Sequence, residues 1–342
     1  MRAPGRPLYV CLLLLALVTG ACDGFKRRAV GPNGEATLVS DLAADSPAVV
    51  AVRAAIGRDV ITTRAEPAFE IDLVPGARFR EVRSWRNLVL VADLDRDDPT
   101  TALTARAVGP AVLADLRAGR RTHVLYSDVW ARGQTVLVVA ARGEPALARV
   151  AAAAADTIYA EFEAQVIRGI ESLLYLAGEE RRLARDLAGR YGWSLRIPRG
   201  YRVGEDANAR FVRFFMREGG ARLLFVYWQD GVAALPPPGF CLDLRGRLAA
   251  RYYEGDFIDS TGSRSEPAIF LGRPAHRLIG VWQNDRYTMG GPFRTYCFVD
   301  KGRFVMIDLA VFEPMESKVE LLRQLEAIAR TFRDERPGHA AR

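Results

Sequence analysis

The sequence predicts an α+β protein built from two similar units, each an antiparallel sheet with helices packed on one face, joined by a long helical segment. Three observations predict it. Both halves carry short runs with the alternating or continuous apolar pattern of strands. Between them, residues 145–191 are dominated by Ala, Leu, Glu and Arg, with no proline after Pro145 until Pro198. The halves also follow one order. A strand ends in Val74-Pro75-Gly76 or Ile197-Pro198-Arg199-Gly200, an aromatic follows at Phe79 or Tyr201, and a strong strand comes next. That order reads as a duplicated unit.

The elements follow in turn. Residues 1–21 have the layout of a secretory signal: Arg2 and Arg6, an apolar run from Cys11 to Val18, then small residues. The run is shorter than the roughly 20 residues of a membrane-crossing helix. Val18-Thr19-Gly20-Ala21-Cys22 reads as a lipoprotein cleavage signal, with Cys22 taking a diacylglycerol and an N-terminal acyl chain such as palmitate. Two or three chains anchor stably where one does not. Residues 22–45, rich in Gly, Ala, Asp and Ser, read as a flexible tether.

The first unit spans 46–144. Ser46 and Pro47 open a helix that stops at Gly57. Strands are expected at Phe69–Val74, Asn87–Asp93, His123–Tyr126 and Thr135–Ala140, with a short helix at Val108–Leu116. The connector at 145–191 is one or two helices, broken at Gly169 or Gly178 and stopped at Gly192. The second unit spans 192–333. Glu218-Gly219-Gly220 turns a hairpin between Arg210–Met216 and Leu223–Trp228. A helix near Leu242–Tyr253 precedes four strands, and apolar positions from Val319 to Ala329 fall on one face of a closing helix. Residues 334–342 read as a disordered tail.

Charge and cysteines fit an envelope protein. The net charge is +7, its cations almost all Arg and interleaved with Asp and Glu. This is a solvated surface, and nucleic acid is not an expected partner. Lys26-Arg27-Arg28 beside the anchor suits anionic lipid heads. With Cys22 acylated, Cys241 and Cys297 remain as a disulfide candidate for an oxidising space, or as two buried thiols.

Motifs for chemistry are sparse, and no catalytic residue, cofactor or metal site is expected. His123, His276 and His339 show no metal spacing. Cys241 with His276 makes a weak thiol–imidazole candidate. Asp93, Asp95, Asp97 and Asp98 lack the glycine and distal glutamate of a calcium loop and read as a solvated turn. Met289-Gly290-Gly291-Pro292-Phe293 lacks the Lys of a phosphate loop and reads as a tight turn or a binding edge. The aromatics of the second half are core or groove. Trp193, Phe211, Phe215, Met289, Gly290, Gly291 and Phe293 are the candidates for a groove taking a hydrophobic or sugar ligand.

Arg86-Asn87-Leu88-Val89-Leu90-Val91, Ile197-Pro198-Arg199-Gly200-Tyr201, Met289-Gly290-Gly291-Pro292-Phe293 and Leu322-Arg323-Gln324-Leu325-Glu326-Ala327-Ile328 resemble, in order, the uncharacterised bacterial lipoproteins of domain-of-unknown-function family 4837. The resemblance spans roughly residues 35–332. It implies an envelope lipoprotein and no particular chemistry. The resulting expectation is a membrane-anchored protein facing the periplasm that binds an envelope protein or small ligand without catalysis. A periplasmic hydrolase acting on an envelope component is the alternative.

Overall fold

The computed structural model describes residues 26–336. The signal segment, Cys22 and His339 lie outside the described residues. Two compact units are present, and the α+β class stands.

The first unit takes the chain up to Pro32, Ala36–Val49 and Asp72–Val150. It opens with strand β1 (Glu35–Val39), where a flexible tether was expected. Ala36-Thr37-Leu38-Val39 is buried and pairs through Thr37↔Leu88 to Val39↔Leu90, so four apolar-compatible residues form a strand inside a Gly- and Asp-rich surrounding. Helix α1 (Pro47–Ile56) begins in this unit; from Val50 to Ile71 the chain belongs to the second unit and carries a minimal hairpin, β2 (Asp59–Val60) with β3 (Glu66–Pro67). Next come β4 (Glu70–Val74), the single turn α2 (Phe79–Val82) and β5 (Asn87–Asp93). Helix α3 (Pro99–Arg117) starts earlier than its apolar pattern suggests. Asp98 caps it by accepting from Thr101 N at 2.8 Å, and Pro99 occupies its first turn. It breaks at Gly109, whose φ of 75° precedes Pro110. Strands β6 (His123–Ser127) and β7 (Thr135–Ala141) and helix α4 (Glu144–Ala153) complete the series.

The sheet order is β4-β1-β5-β7-β6. The expected antiparallel sheet is corrected here: β1, β5 and β7 run parallel, and β6 runs antiparallel to β7. Every residue of β5 and β7 is buried. Strands covered on both faces favour continuous apolar runs, and parallel neighbours need a helical crossover, here α3 between β5 and β7.

The second unit takes Asn33–Glu35, Val50–Ile71 and the chain from Ala151 onward. Helices α5 (Ala155–Leu174) and α6 (Arg181–Tyr191) occupy the expected connector. The breaks fall at Ala154 and around Gly178, while Gly169 stays helical. Gly192, at φ 71°, ends α6 in the left-handed conformation that glycine tolerates. The short β8 (Trp193–Ser194) leads to β9 (Arg202–Asp206), β10 (Phe211–Met216) and β11 (Ala221–Asp230). Helix α7 (Pro238–Tyr252) is followed by β12 (Phe257–Ile258), β13 (Arg264–Phe270), β14 (Arg273–Asn284), β15 (Met289–Asp300) and β16 (Arg303–Phe312). Helix α8 (Lys318–Ala329) and β17 (Arg333–Asp334) close the series, with β17 paired to β8. Ordered structure thus reaches into the expected tail. Asp334 holds Arg336, which also reaches Asp230.

The main sheet is antiparallel, in the order β12-β14-β15-β16-β11-β10-β9, with β13 also on β14. Helices cover both faces rather than the expected one. Alternation along each strand sends Val212, Leu224, Val226, Ile307 and Leu309 to the α8 side, with Leu322 and Leu325 above them. It sends Phe211, Phe225, Phe293, Cys297 and Met306 to the α7 side, with Cys241 and Leu244 above them.

Buried charge on α8 joins three parts of this unit. Lys318 Nζ donates to Glu66 at 2.9 Å. Arg323 grips Glu163 of α5 through two nitrogens, donates to the Ala68 carbonyl at 2.7 Å, and lies 4.0 Å above the Phe69 ring. Glu326 accepts from Arg294, from Arg330 at 2.7 Å and from the Tyr296 hydroxyl at 2.9 Å. These contacts place Glu66–Phe69 on the unit formed by the second half of the chain.

Candidate functional site

The α7 face of the main sheet is only partly covered. A helix of 15 residues is about 22 Å long, while a 12-residue strand runs about 40 Å. Beyond the end of α7 at Tyr252 the face lies open as a groove of about 780 Å³. Phe215, Leu223, Phe312, Met289 and Trp282 form its apolar floor, from β10, β11, β16, β15 and β14. The first four are only partly buried.

The Met289–Phe293 segment shapes this opening. The tight turn expected there is corrected: Gly290 and Gly291 lie inside β15, opposite Gln283 and Trp282, and neither has a positive φ. The glycines answer a close approach instead. A Cβ on Gly291 would stand 1.8 Å from the Val311 carbonyl oxygen, and one on Gly290 would stand 2.9 Å from that of Trp282. The β15–β16 ladder ends at Phe293↔Ala310. Pro292, next along, has no N–H to extend it. The Val311 carbonyl accepts from the Trp282 indole at 3.3 Å. The regular pairing stops at this point while the backbones stay close, and Met289 and Phe312 both line the groove beyond it.

Polar groups ring the floor. Tyr252 stacks on Phe211 at 3.8 Å and donates to Asp206 at 2.7 Å. Asp256 accepts from Asn284 Nδ2 at 2.7 Å, and burial holds its carboxyl above the usual range. Glu254 accepts from the Tyr287 hydroxyl, and Glu313 accepts from the backbone of Met315 and Glu316. Arg213 donates to the Tyr252 carbonyl. Deeper on the same face, Arg245 and Asp308 form an ion pair in which each side chain is 1% exposed. Thr295 also donates to Asp308, and Phe293 lies 4.0 Å under the guanidinium.

Of the seven groove candidates, Phe215 and Met289 line the opening, and Gly290 and Gly291 shape it through the backbone. Phe211 and Phe293 are buried beneath α7. Trp193 is corrected outright: it is fully buried on the α8 side, packed on Trp228 and Phe332. Sequence reasoning missed Leu223, Trp282 and Phe312. Their alternation with Leu224, Val281 and Val311 marks the strand face, but the extent of α7 over that face is not written locally.

The remaining candidates fall elsewhere. Cys241 and Cys297 meet across the α7–sheet interface as free, fully buried thiols in hydrogen-bonding contact. Burial, then the Cys241 contact, pushes the Cys297 thiol well up. His276 is opposite Cys297 in the ladder, but its Nε2 donates to the Pro236 carbonyl at 3.0 Å, so no base faces the thiols through that nitrogen. His123 belongs to the other unit, where its Nδ1 is 2.8 Å from Thr122 Oγ1. The acidic turn after β5 is structural. Asp93 accepts from the N–H groups of Asp95 and Gly143, Asp95 pairs with Arg142, and Asp98 caps α3. Among the described residues no cluster of three or more His, Cys, Asp or Glu could hold a metal, and no helix is long and apolar enough to cross a membrane.

Residues 180–331 match the family model of domain of unknown function 4837 (DUF4837). This part of the chain is similar to that family. The groove and helix α7 beside it lie within the matched region. Residues 29–174 match a different model, that of domain of unknown function 8532 (DUF8532). The single-family resemblance across 35–332 is thus narrowed to the second part of the chain, the first part matching another model. No curated protein matches the chain. Among solved structures it is similar to the cyanobacterial PsbP protein (CyanoP) of Synechocystis sp. PCC 6803, at 12% identity and a TM-score of 0.30 over 42% of this chain and 86% of that one. It is also similar to a protein of Bacteroides thetaiotaomicron VPI-5482, at 12% identity and a TM-score of 0.28, over 44% of this chain and about half (47%) of that one. LpqN, involved in cell envelope biogenesis of Mycobacterium tuberculosis, aligns at 15% identity and a TM-score of 0.26 over 41% of this chain and 81% of that one.

Proposed function

We propose that the chain is an envelope lipoprotein, anchored through an acylated Cys22 and facing the periplasm, whose second unit holds a ligand without chemically changing it. The anchor rests on the signal layout and on the small residues before Cys22. The binding role rests on one observation: an apolar floor left open to solvent within a groove of about 780 Å³, a size that suits a small ligand. The noncatalytic reading is supported by the groove's acids. Glu254, Asp256 and Glu313 are each committed to a tyrosine, an asparagine or a turn, and no histidine lines the groove.

Native mass spectrometry of the protein extracted from its own envelope tests the reading. The wild type carries a copurifying small molecule, and Leu223→Trp, which fills the floor, loses it. An empty wild type, or a ligand retained by Leu223→Trp, overturns the proposal.

A further inference from the structure

The charges around the groove are unequal in their commitments. Its three acids are held, as is Arg213 through the Tyr252 carbonyl. Arg202 and Arg217 also line the groove, and among the described residues neither guanidinium has a hydrogen-bond or ion-pair partner. The two lie together. Arg202 of β9 is paired with Phe215 of β10, so strand alternation directs it to the side of the sheet that carries Phe215, and Arg217, just past the end of β10, lines the same groove. From that edge the floor crosses Phe215, Leu223, Phe312 and Met289, none of which offers a charged or strong hydrogen-bonding group. From β10 to β15 this is three strand spacings, about 14 Å. One end of the groove therefore presents two uncommitted guanidinium forks, which match the oxygen pairs of carboxylate and phosphate. The middle presents only apolar surface.

Resting on the ligand-binding reading above, we infer that the groove takes an amphiphile with a single anionic head, carboxylate or phosphate, seated on Arg202 and Arg217, its hydrocarbon tail lying across Leu223 and Phe312 toward Met289. A sugar would leave its hydroxyls facing that floor unpaired. A free anion would leave the floor unused.

The full chain in envelope membranes is photolabelled with tail-diazirine forms of dodecanoate, dodecyl phosphate and dodecanol, and labelled peptides are mapped. Dodecanoate or dodecyl phosphate labels the peptides bearing Leu223, Phe312 and Met289 at least tenfold more than dodecanol does. R202A/R217A removes that preference while its urea midpoint is unchanged, and Leu223→Trp removes labelling by every probe. Labelling of these peptides by dodecanol as strong as by the anions, sensitive to Leu223→Trp, overturns the anionic class and leaves the binding reading standing. Labelling that inorganic phosphate competes away at millimolar concentration, while dodecanol does not, overturns the amphiphile in favour of a free anion. No labelling above that of Leu223→Trp with any probe overturns both readings.

Discussion

Gly291 of β15 lies so close to Val311 of β16 that a methyl group in place of its hydrogen would stand 1.8 Å from the Val311 carbonyl oxygen. The obstacle is backbone, which cannot swing aside as a side chain can. Gly291→Ala is expected to destabilise the protein by about 3 kcal/mol or more, or to prevent folding. Gly189, helical in α6 with open space where a Cβ would stand, is the control: Gly189→Ala stabilises by up to about 1 kcal/mol. Urea denaturation of the two variants checks both signs.

Asp308 and Arg245 are buried under α7 as an ion pair. Removing one partner leaves an uncompensated buried charge, at a cost of about 3–5 kcal/mol. Asp308→Ala is therefore expected to lower the urea midpoint severely, and Arg245→Met combined with Asp308→Leu to restore most of it. Equal losses in the single and double variants would show that the pair is not what the region depends on.

Glu326 makes stability depend on acid. Burial pushes its carboxyl up, but Arg294 and Arg330 outweigh burial and lower it to about 2. A folded-state value below the unfolded one means that the unfolded chain takes up the proton first as pH falls. The contribution is complete above about pH 4.5 and lost as pH falls toward about 2, on the order of 3 kcal/mol in all. Chemical denaturation at pH 7, 4.5 and 2.5 should show the loss in the last interval, and Glu326→Gln should remove that step.

Cys241 and Cys297 are in contact inside the unit. In an oxidising envelope the contact is expected to close into a disulfide tying α7 to β15. Nonreducing peptide mapping of protein taken from the envelope should recover the two peptides linked. Two thiols that alkylate on unfolding without a reductant would refute the bond.

Cys22→Ala is expected to abolish acyl labelling and release the protein from the membrane fraction. An unchanged membrane fraction would refute the anchor.

Elements were legible wherever local chemistry decides them. Pro47 and Gly57 bracket α1, Gly192 stops α6, and Gly219-Gly220 turns the β10–β11 hairpin, as their residue types dictate. β1 was hidden because four residues carry too short a pattern; its burial comes from pairing with β5, about fifty positions away. Strand direction in the first unit was hidden as well. Leu88-Val89-Leu90-Val91 and the run from Val136 to Ala140 hold the unbroken apolar signature of a parallel sheet, but the same runs suit a doubly covered antiparallel one.

Sequence by itself determined the α+β class, the likeness to DUF4837 and the faces of the long strands, because periodicity and turn residues act over a few positions; that residues 50–71 join the second unit it did not show. Only the tertiary structure decided which face each helix covers and where cover ends. It put Trp193 in the core on one side and left Phe215 and Met289 open on the other, although all three read alike as aromatic or apolar strand residues. It also turned two adjacent glycines from a supposed turn into a close backbone approach inside β15. Those outcomes depend on helix length against strand length and on backbone atoms twenty residues apart, quantities that exist only once the chain has packed.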